Sequence, residues 1–318
     1  MIHPHSIKIS AILPNYNDSE LLPNAIQSLL NQTETLTEII IIDDGSTDNS
    51  LAIIEDLMNQ HHHIRLVQHE KNQGVCAALN HGIEHATGDY VILCAADDWY
   101  NENMIALAKQ AIRKTPRAGL ICGDAIINRF DMQESFKRTL PYSKKNDWIT
   151  PDEFQAIAKS GYVGFNGGGG MLLKRQAILE AGLLHPELRW HCDWLLYFAI
   201  AMKHGIYYVD EVFIHIHMRQ NSYSEGKRHL KIQKQVMIDT VHILKKRYPN
   251  LWDHFKKAAL LPNYSIRYLP LFLIDPIMRQ FLTLPLIWKL FINNRAIVRI
   301  GRLFPYRVIL QARKLLRA

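Results

Sequence analysis

Two pairs of adjacent carboxylates each follow a short apolar run. EIIIIDD places Asp43 and Asp44 after four isoleucines, and YVILCAADD places Asp97 and Asp98 shortly after a second apolar run. Carboxylates gathered in one site repel one another unless a cation neutralises them. Hard divalent ions such as Mg²⁺ and Mn²⁺ accept oxygen ligands and share their coordination shell with water or substrate phosphates. The pattern therefore indicates binding of a nucleotide diphosphate together with a divalent metal.

Buried parallel strands would place these carboxylates at one edge of a sheet. A run of β-branched residues that ends at a turn signal is typical of a strand covered on both faces. Ligands of open α/β sheets bind at the carboxyl ends of such strands. Gly45 permits a tight turn after Asp44, and Ser46, Thr47 or Asp48 can cap the next helix. A simple strand, turn and helix cap is the competing interpretation of this segment.

Strands and helices alternate through the first hundred residues. The segments KISAILPNY and HIRLVQH have the composition of strands, whereas LLPNAIQSLLNQT and NQGVCAALNHGIEHA have helical spacing. Such alternation implies right-handed βαβ crossovers. It predicts a doubly wound, mainly parallel α/β sheet of the Rossmann type.

The net charge of +7 comes from the end of the chain. From residue 255 onwards, twelve Lys and Arg residues face one acidic residue, Asp275. Aromatic or groove-reading elements that would indicate nucleic-acid binding are missing from this pattern. Prolines and charges interrupt the apolar runs, so a membrane-spanning helix is not predicted. Basic helices that lie in a membrane interface are expected instead. A helical domain that packs on the catalytic one is the alternative.

The amino terminus and the cysteines indicate a reducing compartment. MIHPHSIKIS lacks the basic start and apolar stretch of a signal peptide, so a cytoplasmic location is expected, peripheral on the inner face of the membrane if the tail binds lipid. Four cysteines are widely spaced without a CxxC pair, which favours structural thiols over disulfides or zinc.

Several motifs in a fixed order resemble one known family. They are KISAILPNYND, EIIIIDDGSTDNS, HEKNQGVCAALNHGI, GDYVILCAADDWY, NGGGGMLLKRQAILEAGLL and WHCDWLLYFA. This order resembles a family-2 glycosyltransferase with the GT-A fold over about residues 6–225. The resemblance implies a catalytic domain at 1–225, with a nucleotide-binding half at 1–100 and an acceptor half at 101–225. Residues 226–318 would form a helical, basic, membrane-interfacial extension.

The resemblance also implies a donor site. It assigns the nucleotide to a set of loop and helix residues: Pro14, Asn15, Tyr16, Asp44, Asn72, Gly74, Asn80 and Asp97. Asp44 would accept a hydrogen bond from the base, and Tyr16 has a packing role as its alternative. Asp97 and Asp98 would hold the ribose and the metal, Mn²⁺ or Mg²⁺. Leu79 and Ala95 depart from the family, which commonly has Arg or Lys and Asp there.

The acceptor side is implied in the same way. Asp193 matches the family's general base, although Cys192 stands where relatives usually have Glu, and a helix N-cap is the competing role. Trp190 and Trp194 would wall the acceptor site, with packing in the core as their alternative. Gly168 and Gly169 would let the backbone approach a sugar. Arg219 is expected to bind the diphosphate, with His217 and Ser222 nearby; a solvated surface arginine is its alternative.

The function implied is inverting transfer of a sugar from a nucleotide-diphosphate sugar, a UDP-sugar being favoured, to a hydroxyl group. The acceptor is expected to be a saccharide or a lipid-linked molecule of cell-envelope polysaccharide or glycolipid synthesis. A catalytically degenerate carbohydrate-binding or scaffold protein is one alternative, because of Leu79, Ala95 and Cys192. A sugar nucleotidyltransferase is the other, although PNYNDSELL lacks the Gly-rich basic loop that binds a triphosphate.

Overall fold

The computed structural model describes residues 6–129, 133–159, 164–167, 169–218, 230–262 and 266–292. The chain divides into two compact units. The first comprises residues 1–154 and 164–225, and the second comprises residues 155–163 and 226–318.

The first unit is built around one mixed sheet. Its described strands are β1 Ile9–Asn15, β2 Glu38–Asp43, β3 Ile64–Gln68, β4 Tyr90–Leu93, β5 Trp99–Tyr100, β6 Leu120–Arg129, β7 Glu134–Arg138, β8 Asp147–Ile149, β9 Met171–Lys174 and β10 Ile206–Met218. Its helices are α1 Leu22–Leu30, α2 Ser50–Gln60, α3 Val75–His85, α4 Met104–Lys114, α6 Arg175–Ala181 and α7 Cys192–His204. Helix α5 Pro151–Lys159 begins in the first unit and ends in the second.

The amino-terminal half of the sheet is parallel, as the alternating pattern predicts. The strand order is β3-β2-β1-β4-β9-β6-β10-β5, and β3, β2, β1 and β4 all pair in parallel. Asn15 is paired with Asp43, and Asp43 with Gln68, so three strands end in register. Residues that follow these strands therefore share one edge.

The second half of the sheet has both orientations. Strand β9 lies antiparallel between β4 and β6, whereas β6 and β10 are parallel neighbours. The two-residue strand β5 pairs antiparallel with β10, placing Trp99 opposite His215 and Tyr100 opposite Ile214. This pairing brings the end of the β4 segment, with its acidic residues, beside the end of β10.

The core explains why the isoleucine run is continuous. Ile39, Ile40, Ile41 and Ile42 are all fully buried, since helices cover both faces of β2. Helix α3 packs closely on this region because Gly82 faces the sheet, where an added Cβ would overlap the Ile12 side chain. Side chains on α3 are thereby held near the carboxyl ends of β1 and β2.

The second unit is helical where it is described. Its helices after residue 226 are α8 Leu230–Arg247, α9 Pro249–Ala258, α10 Leu269–Ile274, α11 Pro276–Phe281 and α12 Leu284–Ile292. Their core includes Trp252, Phe255, Phe272 and Phe281. No helix among the described residues combines the length and the apolar character needed to cross a membrane.

Two polar side chains secure helix ends in this second unit. Asp275 caps α11 by accepting the backbone N–H groups of Ile277 and Met278, each at 2.9 Å, and it also contacts His242. The hydrogen bond from Met278 leads the interactions that lower the pKa of Asp275. Lys289 donates to the carbonyl oxygen of Ala258 at 2.7 Å, where α9 ends, and burial lowers its pKa to about 8.

Candidate functional site

Asp43 ties together the loops that follow β1 and β2. Its carboxylate accepts the Asn15 side-chain amide at 2.9 Å and the Ser46 backbone N–H at 3.0 Å. The Asn15 amide also donates to the Ser46 hydroxyl. The side-chain oxygen Oδ1 of Asn15 is buried and has no donor in the part of the chain that the structure describes. Asp43 thus has a structural role, and Asn15 retains an acceptor at the strand edge.

Asp44 anchors the loop before α3. One carboxylate oxygen accepts the backbone N–H of Gln73 at 2.8 Å, and the other accepts that of Gly74 at 2.7 Å. The Asp44 side chain also lies 2.7 Å from Nδ1 of His69. Hydrogen bonds to a charged carboxylate are strong. The Asp44 side chain that accepts these bonds is almost fully buried. Asp44 therefore sets the position of the loop that is predicted to close over the base.

His69 extends this anchor into α3. Its Nε2 lies 2.9 Å from Nδ1 of His81, and the two rings are stacked with centroids 5.1 Å apart. Burial, and then the neighbouring His85 and His69, lower the pKa of His81. His69 could not be predicted from the sequence, because a histidine at the end of a strand carries no spacing signal.

The other predicted nucleotide residues on this edge are Pro14, Tyr16, Asn72 and Gly74. Pro14 lies within β1, and Tyr16 follows it with 46% of its side chain exposed, a high value for a large aromatic ring. Asn72 is exposed, and Gly74 has a φ of 91° at the start of α3. A Cβ added at Gly74 would have no described atom within 4 Å. Tyr16 and Asn72 are therefore exposed near the carboxyl ends of the strands, and their contact with the nucleotide stays a prediction.

Asn80 has backbone partners elsewhere. Its amide donates to the carbonyl oxygen of Leu184 at 2.9 Å, and its own carbonyl oxygen accepts the N–H of Leu184 at 2.9 Å. These two hydrogen bonds join α3 to the segment after α6. The structure therefore gives Asn80 a role in attaching α3, and its predicted contact with the nucleotide stays a prediction.

The second acidic pair lies against the end of β10. Asp98 is buried and accepts the backbone N–H of His217 at 2.9 Å, while Asp97 is half-buried. The His217 ring lies against Trp99, and its Nε2 is 2.9 Å from the Asn128 side-chain amide. Burial lowers the pKa of His217, so its neutral form is favoured at physiological pH.

Tyr100 connects this pair to the glycine-rich segment. Its hydroxyl oxygen accepts the backbone N–H of Ala95 at 3.3 Å. Burial, and then the nearby Cys94 and Asp98, hold the pKa of Tyr100 well above its usual value, so the hydroxyl stays protonated. Gly169 has a φ of 95°, and an added Cβ would lie 2.6 Å from the Tyr100 hydroxyl oxygen. Only glycine fits that contact without a shift.

Asp193 lies in the first turn of α7 and faces the same glycine-rich segment. Its Oδ1 accepts the backbone N–H of Trp194 at 2.7 Å, and its Oδ2 would lie 3.2 Å from a Cβ at Gly167. Gly167 and Gly169 are two positions apart, which is at most about 7 Å of backbone. The glycine-rich segment therefore passes close to both the Asp193 carboxylate and the Tyr100 hydroxyl.

The turn that precedes Asp193 is strained. Arg189 has a φ of 49° inside the 3-10 helix Pro186–His191, a conformation that non-glycine residues rarely adopt. Trp190 follows it, and the buried Nε1 of Trp190 has no acceptor among the described residues. Trp194 packs on Phe198 with ring centroids 4.8 Å apart. The predicted acceptor residues are thus near Asp193, and Trp190 offers a hydrogen-bond donor there.

Gly168 and Arg219 lie outside the described residues. Among the residues that are described, no three His, Cys, Asp or Glu side chains form a metal site by themselves. A metal bound to a diphosphate requires only one or two protein carboxylates. Asp97 and Asp98 fit that smaller requirement, as donors to a metal that the substrate helps to hold.

Comparison with known proteins gives a family match over more than half of the chain. The family model described as glycosyl transferase family 2 matches residues 10–182. The glycosyltransferase YibD of Escherichia coli is 47% identical over 91 residues, which is 29% of this chain and 26% of that protein. The cholesterol galactosyltransferase of Borreliella burgdorferi is 27% identical over 283 residues, covering 85% of this chain and 77% of that protein. The match covers only 26% of YibD and 35% of the glycosyltransferase GlyG of Streptococcus pneumoniae, so the chain spans about a quarter to a third of the length of these two relatives.

Solved structures show the same fold. S. aureus TarS 1-349 in complex with UDP-GlcNAc has a TM-score of 0.59 at 16% identity, over 85% of this chain and 74% of that one. The Pyrobaculum calidifontis mannosyltransferase PcManGT, in complex with GDP-Man and Mn2+, has a TM-score of 0.58 at 17% identity, over 98% of this chain and 85% of that one. The predicted GT-A-type α/β fold is confirmed. The chain belongs to glycosyl transferase family 2.

Proposed function

We propose that this protein is an inverting glycosyltransferase that moves a sugar from a nucleotide-diphosphate sugar to an acceptor hydroxyl. The glycine-rich segment carries the proposal, because Gly167 lies close to the Asp193 carboxylate while Gly169 lies close to Tyr100, which follows the second acidic pair in the chain. A direct displacement requires a general base and a leaving-group site near one another. UDP is the favoured nucleotide, and TarS with UDP-GlcNAc supports that choice.

The donor is proposed to bind along the edge formed by β1, β2 and β4. Tyr16 would stack on the base, and the loop held by Asp44 would close over it. The side-chain oxygen Oδ1 of Asn15, which is buried and has no donor among the described residues, is proposed to accept a nucleobase N–H once the surrounding loop residues move aside. A polar atom of this kind is costly to leave unsatisfied, so a ligand that supplies the hydrogen bond gains affinity.

Asp97 and Asp98 would hold a divalent metal, Mn²⁺ or Mg²⁺, on the diphosphate. When bound, such an ion stabilises the negative charge that grows on the leaving phosphates. PcManGT in complex with GDP-Man and Mn2+ supports this assignment. Asp98 is fixed by the backbone N–H of His217, so its orientation does not depend on the ligand.

Asp193 would remove the proton of the acceptor hydroxyl. The first turn of α7 favours a charged carboxylate there, and the Trp194 N–H holds one oxygen in place. Trp190 and Trp194 would contact the acceptor, and the unsatisfied Nε1 of Trp190 would donate to one of its hydroxyls. Arg219, outside the described residues, is proposed as a further phosphate contact.

A panel of UDP- and GDP-sugars with Mn²⁺ tests this proposal, with release of nucleoside diphosphate as the readout. Asp193→Asn should lower turnover by about 10²–10⁴-fold, as expected for loss of a general base, and should retain nucleotide binding. Asp152→Asn is the matched control, because Asp152 also lies in the first turn of a helix but is exposed. Equal turnover in wild type and Asp193→Asn would remove Asp193 from the mechanism.

The second unit is proposed to bind an anionic membrane surface. Four large apolar side chains are exposed on α10 and α12, with 53% exposure at Leu273, 75% at Ile274, 82% at Leu284 and 39% at Trp288. Exposed Arg267 and Arg279 accompany them, and Asp275 is the one acidic residue of this region. Apolar groups with basic neighbours suit an anionic interface.

This surface gives the acceptor its proposed class. A protein held at the cytoplasmic face of a membrane would meet lipid-linked or cell-envelope saccharides. The relative named cholesterol galactosyltransferase supports a lipid acceptor. We therefore propose a role in glycolipid or cell-envelope polysaccharide synthesis.

A further inference from the structure

Two buried thiols of the first unit are in contact, although 116 positions separate them in the chain. The Sγ atoms of Cys76 and Cys192 lie 2.9 Å apart, and both residues are free cysteines with less than a tenth of their surface exposed. A disulfide requires about 2.05 Å between its sulfurs. The two sulfurs would therefore need to approach by less than about 1 Å to form one.

The pair connects the two halves of the proposed active site. Cys76 lies in the first turn of α3, two positions after Gly74, whose N–H is held by Asp44. Cys192 begins α7 and is followed by Asp193. The Cys76 thiol also lies 3.7 Å from the carbonyl oxygen of Arg189, the residue with the positive φ. The contact thus joins the loop that is proposed to cover the nucleobase to the turn that positions Asp193, the candidate general base.

We propose that Cys76 and Cys192 are a reversible disulfide pair, and that oxidation of this pair lowers the rate of transfer. The oxidant is a hydroperoxide. The thiolate of one cysteine attacks a peroxide oxygen and gives a sulfenic acid with loss of hydroxide. The second thiol then attacks the sulfenic sulfur, forming the disulfide and releasing water. Together two thiols and one hydrogen peroxide give one disulfide and two waters.

The effect on the rate follows from the position of Cys192. Closing the sulfur–sulfur distance moves the backbone that precedes Asp193, and a catalytic group must be held to within about 0.5 Å of its productive position. The nucleotide edge around Tyr16 and Asn15 lies on other strands and is not moved directly. The expected result is slower turnover, and nucleotide binding should weaken as well, because Cys76 adjoins the loop that is proposed to cover the nucleobase. This regulatory part rests on the proposed function, whereas formation of the disulfide does not.

The chemistry also predicts how the reaction depends on pH. The contact with the Cys76 thiol, and then burial, hold the pKa of Cys192 well above its usual value. Thiolate is the reactive species. Crosslinking should therefore be slow at neutral pH and should become faster as the pH rises.

Peptide mapping of the folded protein tests the crosslink. Trypsin leaves Cys76 and Cys94 together in residues 72–109. It leaves Cys192 in residues 190–203. A Cys94→Ala background therefore makes the assignment unambiguous. Treatment with hydrogen peroxide should join the two peptides, with loss of two hydrogens, and dithiothreitol should separate them again.

Turnover is measured on the same samples, each variant being compared with its own reduced form. Oxidation should lower turnover at least tenfold in the Cys94→Ala protein, and dithiothreitol should restore it. Adding Cys192→Ser, or alternatively Cys76→Ser, should abolish both the crosslink and the loss of turnover. Cys122→Ser is the matched control, since Cys122 is also fully buried, and it should leave the response intact.

Each alternative outcome has a defined meaning. If peroxide leaves the two peptides unlinked at every pH at which the protein stays folded, the disulfide proposal is wrong. If the crosslink forms and turnover is unchanged, the regulatory part is wrong. Should the reduced protein lack turnover with every donor, the proposed function fails and the regulatory part fails with it, while the peptide map still decides whether the disulfide forms.

Discussion

Asp44 illustrates how one carboxylate can serve a site without contacting the reacting atoms. It holds the backbone N–H groups of Gln73 and Gly74 and the ring of His69. The family resemblance assigns a contact with the base to this residue. The structure adds that the same side chain fixes the loop at Gln73 and Gly74, which is proposed to cover the nucleobase, so its loss should affect stability and affinity together.

Replacing Asp44 by Asn should destabilise the protein by about 1–3 kcal/mol, the cost of leaving a buried hydrogen-bonding group unsatisfied. The amide has one acceptor oxygen, and its NH₂ group would face a backbone N–H. Urea unfolding gives the stability, and calorimetric titration with UDP should show weaker binding. Asp89→Asn is the control, because Asp89 is exposed and accepts one backbone N–H. Equal stability of Asp44→Asn and wild type would contradict this account of the loop.

At the scale of elements, the parallel half of the fold was predictable and the antiparallel half was not. The isoleucine run and the βα alternation reflect local burial and periodicity. The insertion of β9 between β4 and β6, and the pairing of Tyr100 with Ile214, depend on residues far apart in the chain. For the same reason the sequence could not reveal the contact between Cys76 and Cys192 or the link from Asn80 to Leu184.

The glycine-rich segment received a partial explanation from the sequence. Close approach of its backbone was expected, with a sugar or acceptor as the partner. The structure adds protein partners, namely Tyr100 for Gly169 and Asp193 for Gly167. The positive φ of Gly169 could not be derived from the letters GGGG alone.

Gly169 and Gly182 have nearly equal φ angles, so a comparison of their alanine variants distinguishes backbone strain from steric overlap. At Gly169, whose φ is 95°, an added Cβ would lie 2.6 Å from the Tyr100 hydroxyl oxygen, whereas at Gly182, whose φ is 90°, an added Cβ would have no described atom within 4 Å. Alanine at either position should cost about 1 kcal/mol or more for the backbone conformation. Gly169→Ala should cost more than Gly182→Ala in urea unfolding, and it should also lower turnover, since Tyr100 is displaced. A smaller cost for Gly169→Ala would contradict the proposed contact.

The whole molecule combines a family-2 fold with a basic helical unit. Residues 10–182 match the family model, so the part of the second unit from residue 226 onwards lies beyond the matched range. The net positive charge also belongs to the end of the chain. Membrane binding is therefore a property to test on the complete chain, separately from the chemistry of the first unit.

Sedimentation with vesicles tests that binding. Vesicles of phosphatidylcholine with phosphatidylglycerol should retain the protein, and retention should fall as salt is raised, because screening weakens the basic contribution. Ile274→Ser combined with Leu284→Ser should lower retention severalfold. Phe136→Ser is the matched control, because Phe136 is 44% exposed on the first unit. Retention that is unaffected by the paired substitution would remove α10 and α12 from the membrane contact.

The central claim is that the acidic edge of the sheet binds a nucleotide diphosphate with a divalent metal. Calorimetric titration of the purified protein with UDP and with GDP, each in the presence and absence of Mn²⁺, tests it most directly. We predict that Mn²⁺ strengthens binding of one nucleotide, UDP being favoured, at least tenfold, and that Asp97→Asn removes this metal dependence. If neither nucleotide binds under any metal condition, the donor site is contradicted and a non-catalytic role for the fold takes its place.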